Sequence, residues 1–207
     1  MTDKYQPHII GVSHLPANVT ATLKAASKLK VKKVGIEYPR MRKHERDQYS
    51  ETSGSIFWEA VTHAFRSKGI EVVPLISDQF FQRIMAEELR TPEHVIHMTI
   101  GPIINKYEKL VKVDMLRDIE TNVQREKPEM ILTGVAHALL MRKDFRVPHE
   151  KFQLVMEKAH LKKIMPDLLE EVKDVRRWQR KIRVEKEVRK QARKAQPKTR
   201  RKGRRRK

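Results

Sequence analysis

Two apolar runs of this chain end in the same way, Ile9-Ile10-Gly11-Val12-Ser13-His14 and Ile131-Leu132-Thr133-Gly134-Val135-Ala136-His137. In each, Gly-Val is followed by a small residue and a histidine. Glycine allows close backbone approach where a strand turns, and a histidine three residues on would project at the carboxyl edge of a sheet, where open α/β folds bind ligands. Glu37 closes a third apolar run, Val34-Gly35-Ile36, on the same edge. Two imidazoles and a carboxylate match the ligand set used for divalent zinc, manganese or iron, with positions left open for water or substrate. A metal held by His14, His137 and Glu37 could activate water for hydrolysis. A single Gly-x-x-His carries little weight, since a histidine at a strand end is commonly a hydrogen-bonded structural residue. The repetition, together with Glu37, is the signal.

The elements that would position these groups follow from periodicity. His8 to Val12 reads as a buried strand, Ser13 to Pro16 as a turn, and Val19, Leu23, Ala26 and Leu29 as a helix face leading to the strand Val34 to Ile36. This βαβ unit implies parallel pairing. Polar residues 40–53 predict a loop leaving the sheet edge. Ile56 to Phe65 predicts a helix stopped by Gly69, Ile70 to Ile76 a strand, and Phe80 to Leu89 and Pro92 to Gln124 further helices ended by Pro128. Met130 to Thr133 predicts the strand entering the second histidine turn. From Phe152 onward, an apolar stripe through Val155, Leu168, Val175, Trp178 and Ile182 predicts one long helix running into a basic region. The expected fold class is therefore α/β, a mostly parallel sheet flanked by helices, followed by a long basic C-terminal helix and an extended tail. The divisions are an α/β domain over 1–150, a helical segment over 151–194 and an extended tail over 195–207.

The paired motifs Gly11/His14 and Gly134/His137, with Glu37 and the nearby Arg40 or Arg42, resemble the TraB, Tiki and erythromycin-esterase-like superfamily. The resemblance covers about His8 to Leu140. It implies an α/β core and, as in Tiki-like members, a metal-dependent peptidase or hydrolase activity. Glu37 and Arg40 would then be catalytic groups, Arg40 or Arg42 stabilising an anion, and a manganese, zinc or iron ion would be the cofactor. Pro39 after Glu37-Tyr38 departs from the pattern, and the sequence does not decide between the two arginines.

The charge lies elsewhere. The chain of 207 residues carries a net +20, yet Lys173 to Lys207 alone supplies +16, with 19 basic residues against Asp174, Glu185 and Glu187. A block of this density is an arm for a polyanion. Its contact residues would be Arg176, Arg177, Arg180, Lys181, Arg183, Lys186, Arg189, Lys190, Arg193 and Lys194 on the helix. Lys198, Arg200, Arg201, Lys202, Arg204, Arg205, Arg206 and Lys207 would follow on the tail. The arm is too poor in aromatic residues and leucine for insertion into a membrane interface, whereas Arg-rich extensions suit structured RNA. With no base-reading motif, recognition would be of phosphate and shape.

The composition excludes other classes. The absence of cysteine removes disulfides and thiolate zinc sites. The run Met130 to Met141 is too short to span a membrane, and no secretory signal is visible, so a cytoplasmic location is expected. There is no glycine-rich phosphate loop. The pairs His94/His97 and Glu59/His63 fall at spacings that align residues on a helix face. The leading expectation is an RNA-binding protein of a large ribonucleoprotein, with rRNA in a ribosome as partner. The alternative is the metal-dependent hydrolase using His14, Glu37 and His137.

Overall fold

The computed structural model describes residues 5–39, 53–89 and 113–195. Five strands, β1 (His8–Val12), β2 (Lys33–Pro39), β3 (Glu71–Ile76), β4 (Met130–Gly134) and β5 (Phe152–Val155), form one sheet in the order β3-β2-β4-β1-β5. All pairings are parallel. Six helices accompany them among the described residues: α1 (Val19–Ser27), α2 (Ser53–Ser67), α3 (Asp78–Leu89), α4 (Met115–Glu126), α5 (Val135–Asp144) and α6 (Lys158–Ala195).

The strand order explains why the core has two halves. From β1 to β2 to β3 the chain steps one way across the sheet, and right-handed crossovers put α1 and α2 on one face. There Ile10, Val34, Ile36 and Leu132 pack with Ala26, Phe57, Val61 and Phe65. From β3 to β4 to β5 it steps back, placing α3 to α6 on the other face, where Ile9, Leu75 and Ile131 meet Phe81, Leu116, Ile119, Leu140, Met141 and Val175. Strands covered on both faces are apolar nearly throughout, as Met130-Ile131-Leu132 shows.

Local chemistry sets the element ends. Gly69 at φ +72° closes α2, and Ile70 N–H donates across it to Phe65 O at 3.1 Å. Lys127 adopts left-handed backbone after α4, ahead of Pro128. Ser77 Oγ accepts the Phe80 N–H at 3.2 Å at the start of α3. Asp118 holds Ser77 in turn, accepting its N–H at 2.7 Å and its hydroxyl at 2.8 Å.

The α/β class, the parallel sheet and the long C-terminal helix match the sequence reading. One segment does not. Phe152 to Val155, expected within the long helix, is the edge strand β5, paired to β1 with Ile9 opposite Phe152. Four residues cannot distinguish a buried strand from a helix turn by periodicity, and the vacant edge of β1 decides the matter. Helix α6 starts six residues later, at Lys158, and runs for 38 residues with Pro166 inside it. The loop over 40–52, the helices expected between 90 and 112, and the tail from 196 lie outside the described residues.

Candidate functional site at the carboxyl edge

β1 and β4 are neighbours whose following helices leave on opposite faces, α1 on one and α5 on the other. This makes their carboxyl ends the topological switch point of the sheet, the place where such folds open a crevice. His14 follows β1, His137 lies in the first turn of α5 after β4, and Glu37 lies near the end of β2, the other neighbour of β4.

Glu37 is the centre of the arrangement. Ile36 pairs with Leu132, so Glu37 stands across from Thr133. Between Ile36 and Pro39 the pairing with β3 shifts register, β2 spending one residue more than β3. Such an irregularity re-aims side chains near a strand end. The Glu37 side chain is 4% exposed and its hydrogen bonds account for that burial. Oε2 accepts the Gly134 N–H at 2.7 Å and the Thr133 hydroxyl, while Oε1 meets His137 Nδ1 at 2.7 Å. Gly134 precedes α5, so the carboxylate also sits where the helix dipole favours negative charge. Burial alone would raise the Glu37 pKa, but the charge and hydrogen bond of His137, with His14 and the Thr133 hydroxyl, hold it at about 2. For His137, burial works against protonation, yet the Glu37 carboxylate overcomes it and keeps its pKa above the ordinary value.

His14 has a different environment. Its ring stacks on Phe57 at 5.9 Å and meets Trp58 at 4.8 Å, both from α2. Burial pushes its pKa down, against the pull of Glu37 and with the added push of His137. Its Nε2 is buried without a hydrogen-bond partner among the described residues. A Cβ placed on Gly134 would lie 3.4 Å from His14 Nε2 and 3.5 Å from Glu37 Oε2, so both groups border the same point. The structure thus brings His14, Glu37 and His137 together. They are chemically unlike: one carboxylate, one imidazole favouring its proton, one disfavouring it.

The ligand set expected for zinc, manganese or iron is not assembled among the described residues. No three His, Asp or Glu side chains there are grouped to hold a metal ion. Both Glu37 oxygens already accept hydrogen bonds, and His137 Nδ1 is spent on one of them. Arg40 and Arg42, the expected anion stabilisers, lie outside the described residues.

The two glycines of the repeat serve different ends. A Cβ on Gly11 would lie 2.6 Å from Leu154 Cδ2 and 2.7 Å from Ala138 Cβ, so Gly11 admits α5 against β1 and supports the site only indirectly. Gly134 alone borders the site. Thr133 was not singled out by sequence reasoning, although a hydroxyl in a fully buried strand end must find a partner and is a readable signal for one.

The basic helix α6 divides in two. Val172, Val175, Trp178 and Ile182 pack on the body. Arg176, expected as an RNA contact, instead turns inward, donating to Asp144 Oδ2 at 2.8 Å, Leu140 O at 2.9 Å and Gln179 Oε1 at 2.9 Å. Its position beside Val175 on the docked face explains the difference. Arg177, Arg180, Lys181, Arg183, Lys186, Arg189 and Lys190 are exposed. Arg177 pairs with Asp174 and Lys190 with Glu187, both along the helix surface. Val184 and Val188, expected to continue the apolar line, are 62% and 57% exposed. The side chains of Arg193 and Lys194, and the whole of Lys198, Arg200, Arg201, Lys202, Arg204, Arg205, Arg206 and Lys207, lie outside what is described.

No protein-family model, curated protein or solved structure matches this chain. Among the described residues no helix is long and apolar enough to cross a membrane.

Proposed function

We propose that the chain binds structured RNA, as a component of a large ribonucleoprotein such as a ribosome, through phosphate contacts from the distal part of α6 and the basic residues beyond it. The observation that carries this reading is the division of α6. Its proximal part is fixed to the body by Val175, Trp178 and Arg176, while every described residue from Arg183 to Ala192 is exposed. Ten such residues make about 15 Å of helix on which Val184 and Val188 lie exposed among the charges and bury nothing against the body. Arg183, Lys186 and Arg189 make no ion pair among the described residues, so their charge is available to a polyanion. An arm anchored at one end holds the body at a set angle to its partner, which a loose polycation would not.

The test replaces Arg183, Lys186, Arg189 and Lys190 together by Gln, which keeps helix propensity. Four lost phosphate contacts would lower the slope of log K against log salt by roughly 3 for RNA, with a matching loss of affinity at low salt. Equal affinity and equal slope for the variant and the wild type would overturn the proposal.

A second reading, hydrolysis at the carboxyl edge, draws on the motif resemblance and on one observation: Glu37 aligns His137 through Nδ1 and leaves Nε2 without a hydrogen bond among the described residues. Above its raised pKa, where the imidazole is neutral, a ring so held can take a proton from water or a substrate hydroxyl. Turnover of ester or peptide substrates that is lost in His137→Ala would support it. Turnover unaffected by that change would end it.

A further inference from the structure

The four described turns that lead from a helix into a strand, α1 to β2, α2 to β3, α4 to β4 and α5 to β5, all lie at the amino edge of the parallel sheet, opposite the crevice of His14 and Glu37. Each contains one residue in the left-handed backbone region. In the α2–β3 turn it is Gly69, at φ 72°. In the other three it is Lys30 at φ 50°, Lys127 at φ 46° and Arg146 at φ 51°. A side chain at such a position costs free energy that glycine avoids and asparagine reduces. All three side chains are basic and exposed, and none makes an ion pair among the described residues.

Hydrogen bonds join these turns into one rim. Lys32 N–H donates to Glu129 Oε2 at 2.7 Å, Glu129 N–H to Lys33 O at 3.0 Å, Glu71 N–H to Lys32 O at 2.8 Å and Gln6 Nε2 to Arg146 O at 3.2 Å. Residues 28–33, 68–71, 126–129 and 143–151 of the rim hold nine Lys and Arg against five acids. Three of the acids are already matched: Glu71 and Glu126 pair with Lys33, and Asp144 with Arg176. That leaves Glu129 and Glu150 against exposed cations that include Lys28, Lys32 and Lys68 besides the three left-handed residues. At the carboxyl edge, residues 13–18, 77–78 and 134–137 hold no Lys or Arg.

Helix α6 brings its own cations to the same edge. It starts past the carboxyl end of β5, and by Arg176 it has reached Leu140 and Asp144 at the far end of α5. The exposed part beyond Ile182 therefore leaves the body at the amino edge. The stripe that docks through Val175, Trp178 and Ile182 continues at helical spacing through Lys186, Arg189 and Lys190, so these cations stand on the helix face turned to the side of the rim.

We propose that the amino edge of the sheet is a second phosphate-binding wall, which forms with distal α6 a cationic corner that seats one duplex segment of folded RNA. The inference rests on the RNA reading above and adds where on the body the RNA lies. Five strands spaced by about 4.8 Å give the rim a length of roughly 19 Å, comparable with the exposed helix. A duplex presents the phosphates of two strands, and two walls meeting at an angle can reach both. A role for the charge also accounts for basic residues at three positions where the backbone disfavours them.

The test uses full-length protein carrying Lys30→Asn, Lys127→Asn and Arg146→Asn together. Asparagine tolerates the left-handed region better than lysine or arginine, so the urea midpoint should hold or rise while binding weakens. With an RNA hairpin of roughly 16 base pairs as probe, the loss of three phosphate contacts should lower the slope of log K against log salt by about 2 to 3. If the triple variant fails to fold, Lys28→Gln, Lys32→Gln and Lys68→Gln on the same rim replace it with the same expectation. Unchanged slope and affinity in these variants, while the α6 substitutions above weaken binding, would overturn the corner and leave the RNA reading standing. No effect from either set would remove both. Weakened binding to phosphatidylserine vesicles with unchanged hairpin affinity would overturn the corner in favour of a lipid surface.

Discussion

Replacing Glu37 by Gln tests whether the carboxyl-edge cluster is held by charge or only by shape. The amide can reproduce each hydrogen bond, its oxygen accepting from Gly134 N–H and the Thr133 hydroxyl and its NH2 facing His137 Nδ1. What it cannot reproduce is the ion pair. A buried carboxyl carried from 4.5 to about 2 corresponds to roughly 3 kcal/mol of preference for the charged form in the folded state. Because the folded pKa is depressed, this contribution is present in full above 4.5 and is lost as pH falls toward 2. His137 has the opposite sign: its raised pKa contributes fully below 6.5 and is lost as pH rises through the folded value. The pair is thus strongest between these limits. Urea unfolding of Glu37→Gln near pH 6 should show a loss of about 2 to 3 kcal/mol, shrinking as pH rises through the folded pKa of His137. In NMR titration, His137 should change from a midpoint above the ordinary histidine value to one below it. If His137 titrates at the same pH in both proteins, the electrostatic account of the site is wrong.

Gly11→Ala should destabilise by about 1 to 3 kcal/mol in thermal unfolding, since its methyl must displace Leu154 and Ala138. Gly134→Ala, whose methyl meets only ordinary contacts and whose φ of −58° suits any residue, should cost far less, and equal costs would contradict the packing argument. Asn122→Ala removes a buried amide that donates to Leu75 O at 2.9 Å, and should cost about 1 to 3 kcal/mol by denaturant unfolding because the carbonyl is left unpaired. A cost near zero would mean that water takes the place of the amide.

The parallel core was legible because each strand is both apolar and bounded by a turn signal. Gly69 and Pro128 mark ends that the backbone confirms through left-handed residues and broken hydrogen-bond ladders. β5 was not legible, since Phe152, Leu154 and Val155 fit either period and only the free edge of β1 selects the strand. At the site, repetition of Gly-x-x-His correctly brought His14 and His137 to one edge, but spacing carries no information about contact. It could not show that Glu37 spends both oxygens on its own neighbours, or that His14 lies against Phe57 and Trp58 while His137 pairs with the carboxylate. The Asp144–Arg176 ion pair was hidden for the same reason, its members lying on two helices at a separation with no periodic relation. Charge counting located the arm but treated its cations alike, and only the packing of Val175 distinguishes inward Arg176 from exposed Arg177.

Electrostatics also keeps the two halves of the molecule apart. In many open α/β folds a ligand phosphate or carboxylate occupies the helix N-terminus at the switch point. Here the Glu37 carboxylate already occupies that place at the start of α5, tied to Gly134 N–H and Thr133 and balanced by His137. A phosphate reaching this point would have to displace a carboxylate whose charged form is strongly favoured, or lie beside it in a poorly screened site. A phosphate polyanion would therefore find the exposed cations of α6 more favourable than the carboxyl edge. A neutral group approaching the same point faces no such repulsion.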